Sequence, residues 1–198
     1  TILAGFRELI GVGTLFGFQI MPEAYEPATI FILAPGAFFV LAFLAALRAK
    51  MQEKGIDIYI IPTADFHQSE YVGEHFKARE YITGFTGSAG TAVVSKTEAR
   101  LWTDGRYFIQ AAKQLEGTTV ELMKMGQPGV PKIGEYLETA LAEGENVGFD
   151  GRVVSVTEGE EYEKIASEKN GKVVYAYDLI DEVWEYLPIL SEEPVFEL

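Results

Sequence analysis

The chain has 198 residues, no cysteine and a formal net charge of −14. That length fits one ordinary globular domain, or a smaller domain with an appendage. The acidic balance argues against nucleic acid as a partner and against docking on anionic lipid through the charged part of the chain. The lack of cysteine excludes disulfides, thiolate metal sites and iron–sulfur ligation, and it is compatible with a reducing cytoplasm.

The amino-terminal quarter is apolar, and its last part has the length of a membrane span. Residues 28–47 (ATIFILAPGAFFVLAFLAAL) are twenty uncharged residues, enough to cross a hydrocarbon core roughly 30 Å thick. A buried core helix is the alternative, but such helices rarely stay apolar on every side for so long. Arg48 and Lys50 follow at once, so the positive-inside rule places residues 51–198 in the cytoplasm. We therefore expect a transmembrane helix over residues 28–47.

From Met51 onward, short strand-like runs alternate with amphipathic helices. A helix is expected to end at Gly55, and Asp65 with Gln68 resembles a capping box that opens a short helix through residue 76. Thr157 with Glu160 would open a later helix. Strands are predicted at residues 56–62, 81–85, 91–95, 100–103, 120–125, 146–150 and 172–178, and helices within 104–115, 130–142 and 157–169. This alternation predicts an α/β domain with a mixed sheet.

Three features invite a catalytic interpretation that the sequence does not support. Residues 84–90 (GFTGSAG) match neither phosphate-loop pattern, so a turn with close backbone approach is favoured. Ser88 lies in that segment without the G-x-S-x-G context of a nucleophile elbow. His67 and His75, the two histidines, would be about 12 Å apart along one helix, too far to share an ion. The sequence therefore offers no catalytic residue and no metal site.

Arg106 is the candidate binding residue. It follows Asp104 and Gly105 in the string WTDGRYF, at a predicted junction between a strand and a helix. A planar guanidinium at such a place can face outward to a carbonyl or a carboxylate. From residue chemistry alone, a surface ion pair with Asp104 is the favoured interpretation, and substrate contact is the alternative.

Five strings resemble, in order and spacing, the first domain of the three-domain Xaa-Pro aminopeptidases (aminopeptidase P): IIPTADFHQSEYV, REYITGFTGSAGTAVV, LWTDGRYFIQAAKQL, LMKMG and DLIDEVWE. The resemblance covers nearly all of residues 44–198. It implies a creatinase-like, ribonuclease-H-related α/β fold that mediates homodimerisation and shapes the substrate entrance. It also implies that Arg106 contacts a proline-containing peptide. The two manganese ions of that family belong to a carboxy-terminal catalytic domain, so the resemblance implies no cofactor in this chain.

A second resemblance concerns the amino-terminal part. Residues 5–17 (GFRELIGVGTLFG) and 25–47 are similar to the carboxy-terminal end of the E-type membrane component of the Rnf electron-transport complex. The iron–sulfur cysteines of that family would lie upstream, so no redox role is implied here. The two resemblances meet in LAALRAK, which suggests an artefactual or fragmentary chimera with a seam between Leu41 and Met51. A membrane-tethered peptidase is the alternative.

Together these patterns predict three parts. Residues 1–47 would be a membrane segment, residues 48–188 an aminopeptidase P N-terminal domain, and residues 189–198 the start of a linker to a further domain. The predicted function is dimerisation and substrate positioning in a metal-dependent Xaa-Pro aminopeptidase. A fragment of an ion-translocating Rnf membrane component is the alternative, and a stand-alone peptide-binding domain is a third interpretation.

Overall fold

The computed structural model describes residues 14–15, 18–22 and 35–190. Its helices are α1 (Pro35–Lys54), α2 (Ala78–Thr83), α3 (Phe108–Gln114), α4 (Ile133–Ala140) and α5 (Val156–Glu168). Its strands are β1 (Thr14–Leu15), β2 (Phe18–Gln19), β3 (Ile58–Pro62), β4 (Thr91–Ser95), β5 (Ala99–Thr103), β6 (Val120–Lys124), β7 (Val147–Phe149) and β8 (Val173–Val174). A short 3-10 helix covers Glu74–Phe76.

Strands β3 to β8 form one mixed sheet in the order β6-β5-β4-β3-β7-β8. Strand β4 runs antiparallel to β3 and β5, whereas β5 and β6, β3 and β7, and β7 and β8 pair in parallel. The carboxyl ends of β3, β5 and β7 therefore meet at one edge of the sheet, and β4 begins at that same edge. This topology confirms the predicted α/β domain with a mixed sheet.

Helices cover both faces of the sheet, which explains why β3 is buried along its length. Alternate residues of a strand point to opposite faces. Tyr59 and Ile61 pack in a core with residues of α1, α2 and α3. Ile58 and Ile60 pack in a second core with residues of α4 and α5. A strand covered on both sides has a continuous apolar sequence rather than an alternating one.

Helix α1 corrects the membrane interpretation of its own residues. Val40, Leu44, Leu47 and Met51 recur at helical spacing, are at most 4% exposed and pack in the core beneath the sheet. Within the part of the chain that the structure describes, no helix is long and apolar enough to cross a membrane. Residues 28–34 of the expected span lie outside the described residues.

Residues 81–85 are not the strand that the sequence predicts. Helix α2 occupies Ala78–Thr83, and Gly84 ends it with φ +72° in the left-handed region. The β-branched Ile82 and Thr83 favour a strand locally, but the helix places the buried Arg79 and Thr83 one turn apart, where the Thr83 hydroxyl donates to the Arg79 carbonyl at 2.8 Å. Tertiary packing thus overrides local propensity here.

Two predicted helix starts are displaced in the structure. Asp65 does act as a local acceptor, since its Oδ1 accepts from the backbone N–H of His67 at 2.8 Å, but the next helical turn is the 3-10 helix at Glu74–Phe76. Helix α5 is capped by Ser155 and Glu158, two residues before the predicted box. The same capping chemistry therefore applies at a shifted position. The last predicted strand is shorter than expected, because β8 covers only Val173–Val174.

Candidate functional site

The polar segments that the sequence analysis identifies lie together at the carboxyl ends of strands β3, β5 and β7. Thr63 follows β3, and the turn at residues 104–106 follows β5. The glycine-rich segment at residues 84–90 leads into β4 at the same edge. A groove of about 220 Å³ opens there, lined by Thr63, Glu70, Tyr71, Thr86, Gly87 and Ser88 among others. Loop segments held at the ends of strands are the usual place for binding groups.

Arg106 lies at this edge with its guanidinium held by one neighbour. Its backbone N–H and its Nε both donate to Asp104 Oδ1 at 3.0 Å, and its Nη2 donates to Asp104 Oδ2 at 2.8 Å. This hydrogen-bonded pairing lowers the pKa of Asp104 and raises that of Arg106. The side chain is nevertheless 60% exposed, and Glu70 Oε1 lies 3.9 Å from Nη1. The ion pair with Asp104 is therefore present, and it leaves part of the guanidinium open.

Beside Arg106, two hydroxyl groups join the turn to the glycine-rich segment. The Arg106 guanidinium lies 5.3 Å from the centroid of the Tyr107 ring. The Tyr107 hydroxyl is 2.6 Å from Ser88 Oγ, a hydrogen-bonding distance. Ser88 thus pairs with a tyrosine hydroxyl and not with the histidine, lysine or carboxylate that usually activates a serine nucleophile. The two hydroxyl groups are therefore better suited to form hydrogen bonds with a ligand than to attack it as nucleophiles.

The close packing of the glycine-rich segment agrees with a turn. A Cβ at Gly90 would lie 2.9 Å from the Trp102 carbonyl oxygen, closer than real Cβ atoms approach a backbone atom. A Cβ at Gly87 would lie 2.8 Å from the Tyr107 ring. Both glycines are needed because neighbouring groups come so near to the backbone.

The side chain of Arg79 anchors the glycine-rich segment, a role that no sequence pattern predicts. Its side chain is buried, 3% exposed. Its Nε donates to Thr63 Oγ1 at 2.9 Å, and its two terminal nitrogens donate to the carbonyls of Phe85 and Gly87. Burial lowers the pKa of Arg79 to about 10, which still leaves it charged at neutral pH. One buried guanidinium therefore ties the end of β3 to the glycine-rich segment.

The histidines do not form a centre with the other polar residues. His75 Nδ1 is 2.7 Å from the carbonyl of Pro188, and its ring packs edge-on against Phe76. Among the described residues, no group of three or more His, Cys, Asp or Glu side chains could hold a metal ion. The residues of this part of the chain therefore do not fit a dinuclear metal centre.

A second Asp-Gly-Arg tripeptide, which the sequence-based predictions missed, follows β7. Arg152 donates from its backbone N–H and Nε to Asp150 Oδ1 at 3.0 and 2.9 Å. Its Nη2 also donates to Asp178 Oδ2 at 2.8 Å. The repeated tripeptide, each copy at the end of a predicted strand, is the signal that would have located this turn.

The comparisons with known proteins agree with this architecture. Residues 44–183 match the Creatinase/Prolidase N-terminal domain family. Aminopeptidase P2 of Arabidopsis thaliana is 49% identical over 146 residues, which are 72% of this chain and 20% of the relative. Xaa-Pro aminopeptidase 2 of Rattus norvegicus is 40% identical over 157 residues, which are 78% of this chain and 23% of the relative. The chain thus spans a fifth to a quarter of the length of these relatives.

Solved structures give the same result. The X-prolyl aminopeptidase of Caenorhabditis elegans, described as a cytosolic enzyme with a di-nuclear active site, superposes with a TM-score of 0.72 at 34% identity. The match covers 78% of this chain and 27% of that one. The family match begins at residue 44 and so includes the last four residues of the segment at residues 1–47, whose resemblance to the Rnf membrane component stays a hypothesis. The chain itself belongs to the creatinase/prolidase N-terminal domain family.

Proposed function

We propose that this chain is the N-terminal domain of an Xaa-Pro aminopeptidase and that it positions the peptide without cleaving it. The named relatives of Arabidopsis and rat are aminopeptidases of this class, which supports the proposal. The observation that carries it is the guanidinium of Arg106, held side-on by Asp104, 60% exposed, at the sheet edge where the polar groove opens. A donor fixed in direction but open on one side can orient a peptide.

The extent of the proposed domain is residues 48–188, followed by a linker at residues 189–198. Helix α1 runs through the amino-terminal boundary, and Leu44 and Leu47 pack in the same core as Met51. The working domain would therefore include α1 as its first element. Residues 191–198 lie outside the described residues.

The remaining parts of the proposal concern the whole enzyme. Two metal ions, manganese in this proposal, would be held by another domain, since the described residues here do not fit them. The relative from Caenorhabditis elegans is described as a cytosolic enzyme, which supports a cytoplasmic location. A proline-containing peptide would be the substrate, and a second copy of the chain would be the partner.

The first expected result follows from the lack of metal ligands among the described residues. The purified chain should release no amino-terminal residue from an Xaa-Pro peptide, with or without added manganese, because water activation needs a metal cage that these side chains do not supply. The measurement is chromatographic detection of the free amino acid after prolonged incubation. Metal-dependent release by homogeneous protein would show that the chain carries its own catalytic centre.

The second expected result tests the role of Arg106. Residues 35–190 would replace the corresponding domain of Arabidopsis aminopeptidase P2, and the resulting enzyme would be assayed on an Xaa-Pro peptide. Arg106→Ala should lower kcat/KM about tenfold or more, because a positioning hydrogen bond to the peptide is lost. Steady-state kinetics over a range of peptide concentrations gives the comparison.

Arg152→Ala is the matched control for that experiment. It removes an arginine from an equivalent Asp-Gly-Arg turn at the same sheet edge, but one whose guanidinium is already bound by Asp150 and Asp178. It should leave kcat/KM within about twofold of the unaltered enzyme. Equal losses in both variants, or none in Arg106→Ala, would mean that Arg106 is only a structural ion-pair residue.

A further inference from the structure

The two Asp-Gly-Arg turns bind their arginines in the same way. At residues 104–106 and 150–152, the arginine N–H and Nε donate to one aspartate oxygen, at 3.0 and 3.0 Å in the first turn and at 3.0 and 2.9 Å in the second. In both turns Nη2 reaches the other oxygen, at 2.8 and 3.0 Å. The turns follow different strands in different surroundings, so the tripeptide itself sets this geometry. The aspartate occupies the Nε side of the guanidinium, and the Nη1 end stays outside the pairing.

What differs is the second carboxylate. In the turn at residues 150–152, Asp178 Oδ2 accepts from Arg152 Nη2 at 2.8 Å, a full hydrogen bond. In the turn at residues 104–106, Glu70 Oε1 is 3.9 Å from Arg106 Nη1, beyond hydrogen-bonding distance. The two side chains are similarly exposed, 53% for Arg152 and 60% for Arg106, so what sets Arg106 apart is a second carboxylate that lies near its Nη1 end instead of binding Nη2.

The charges around Arg106 determine which kind of hydrogen-bond acceptor its remaining N–H groups bind best. Its one positive charge is matched by Asp104 in direct contact, and Glu70 adds a second negative charge nearby. A ligand carboxylate at the open Nη1 end would meet repulsion from both acidic groups. A neutral carbonyl would accept the same hydrogen bond without that repulsion.

We infer that Asp104 makes Arg106 bind neutral peptide carbonyl groups in preference to a free carboxylate. This inference rests on the proposed function and names its substrate class: peptides that present a backbone carbonyl or a terminal amide to Arg106. Asp104 is thus a positioning and specificity residue that acts through Arg106. The Tyr107 ring lies beside the Arg106 guanidinium, and the hydroxyls of Tyr107 and Ser88 can hydrogen-bond to the same class of ligand.

The test compares one peptide in two forms. Backbone amide signals of residues 84–90 and 104–107 in the isotope-labelled chain would be followed by NMR while Ala-Pro-Ala is added as the free acid and as the terminal amide. The unaltered chain should bind the amide more tightly. Asp104→Asn keeps the size of the side chain and removes its charge. It should therefore strengthen binding of the acid relative to the amide and change the ratio of the two dissociation constants by about three- to tenfold.

Two further variants keep the result interpretable. Glu70→Gln makes no change within the turn and should move the ratio in the same direction by a smaller factor, which also covers the case that Asp104→Asn fails to fold. Asp150→Asn removes the equivalent charge from the second turn and should leave the ratio unchanged. An unaltered ratio in both Asp104→Asn and Glu70→Gln, or an equal shift in Asp150→Asn, overturns the inference.

The outcome also separates this inference from the proposed function. If Arg106→Ala weakens binding of both peptide forms while the charge-removing variants leave the ratio alone, Arg106 contacts the peptide and Asp104 does not select among ligands. If Arg106→Ala changes the binding of neither form, Arg106 does not contact the peptide. Both the proposed role of Arg106 and the selectivity inference are then wrong.

Discussion

Leu44→Asp should unfold the domain, whereas Ala45→Asp, one residue further along the same helix, should not. Leu44 is 0% exposed and packs in the core that α1 shares with the sheet, while Ala45 lies on the exposed side of α1. The aspartate at position 44 would lose the burial of a leucine and place an unpaired charge in an apolar site, a combined cost of about 5 kcal/mol or more. That cost is comparable to the whole stability of an ordinary domain.

Circular dichroism and urea unfolding of both purified variants provide the measurement. Ala45→Asp should keep the free energy of unfolding within about 0.5 kcal/mol of that of the unaltered chain, since exposed sites tolerate such changes. The pair also discriminates between environments, because in a lipid-facing helix both aspartates would be similarly costly. Equal behaviour of the two variants would contradict the packing of α1 described above.

The misinterpretation of α1 has a physical cause. An apolar run is read as a membrane span when no polar face interrupts it, and the outer face of α1 carries Ala42, Ala45 and Ala46, which hydropathy does not distinguish from lipid-facing residues. Alanine is small enough to be exposed on a soluble helix at little cost. The buried stripe is visible only as a spacing, which includes Leu44 and Leu47. Gly55 predicts the end of the helix, but the spacing does not by itself show which face is buried.

The sheet was more predictable than the site. The predicted strands at residues 91–95 and 100–103 overlap β4 and β5, which pair antiparallel across the short connection expected at residues 96–99, because local turn chemistry and hydrophobicity agree there. Arg106 was located by its tripeptide and by family resemblance. Arg79 was not, since its role depends on carbonyl groups that only the folded chain brings together. No spacing rule in one sequence encodes such a contact.

Arg79→Ala should destabilise the domain by about 3 to 5 kcal/mol, more than the loss of any exposed arginine. The buried guanidinium donates to the hydroxyl of Thr63 and to the carbonyls of Phe85 and Gly87, and it packs 4.7 Å from the Phe85 ring centroid. Removing it leaves buried acceptors without their donor and opens a cavity. The segment that carries Ser88 would then lose its anchor to the end of β3.

Arg106→Ala is the matched control, because Arg106 is exposed whereas Arg79 is buried. Arg106 faces two carboxylates but is 60% exposed, so its ion pairs are screened by water, and its removal should shift the melting temperature by less than about 2 °C. Arg79→Lys keeps the charge, but a single ammonium group does not reproduce the planar fork, so its stability should lie between those of Arg79→Ala and the unaltered chain. Thermal unfolding gives the melting temperatures, and urea unfolding ranks the three variants by stability. A ranking in which Arg79→Ala is as stable as Arg106→Ala would mean that the glycine-rich segment holds its shape without the buried guanidinium, and that close packing at Gly87 and Gly90 is sufficient.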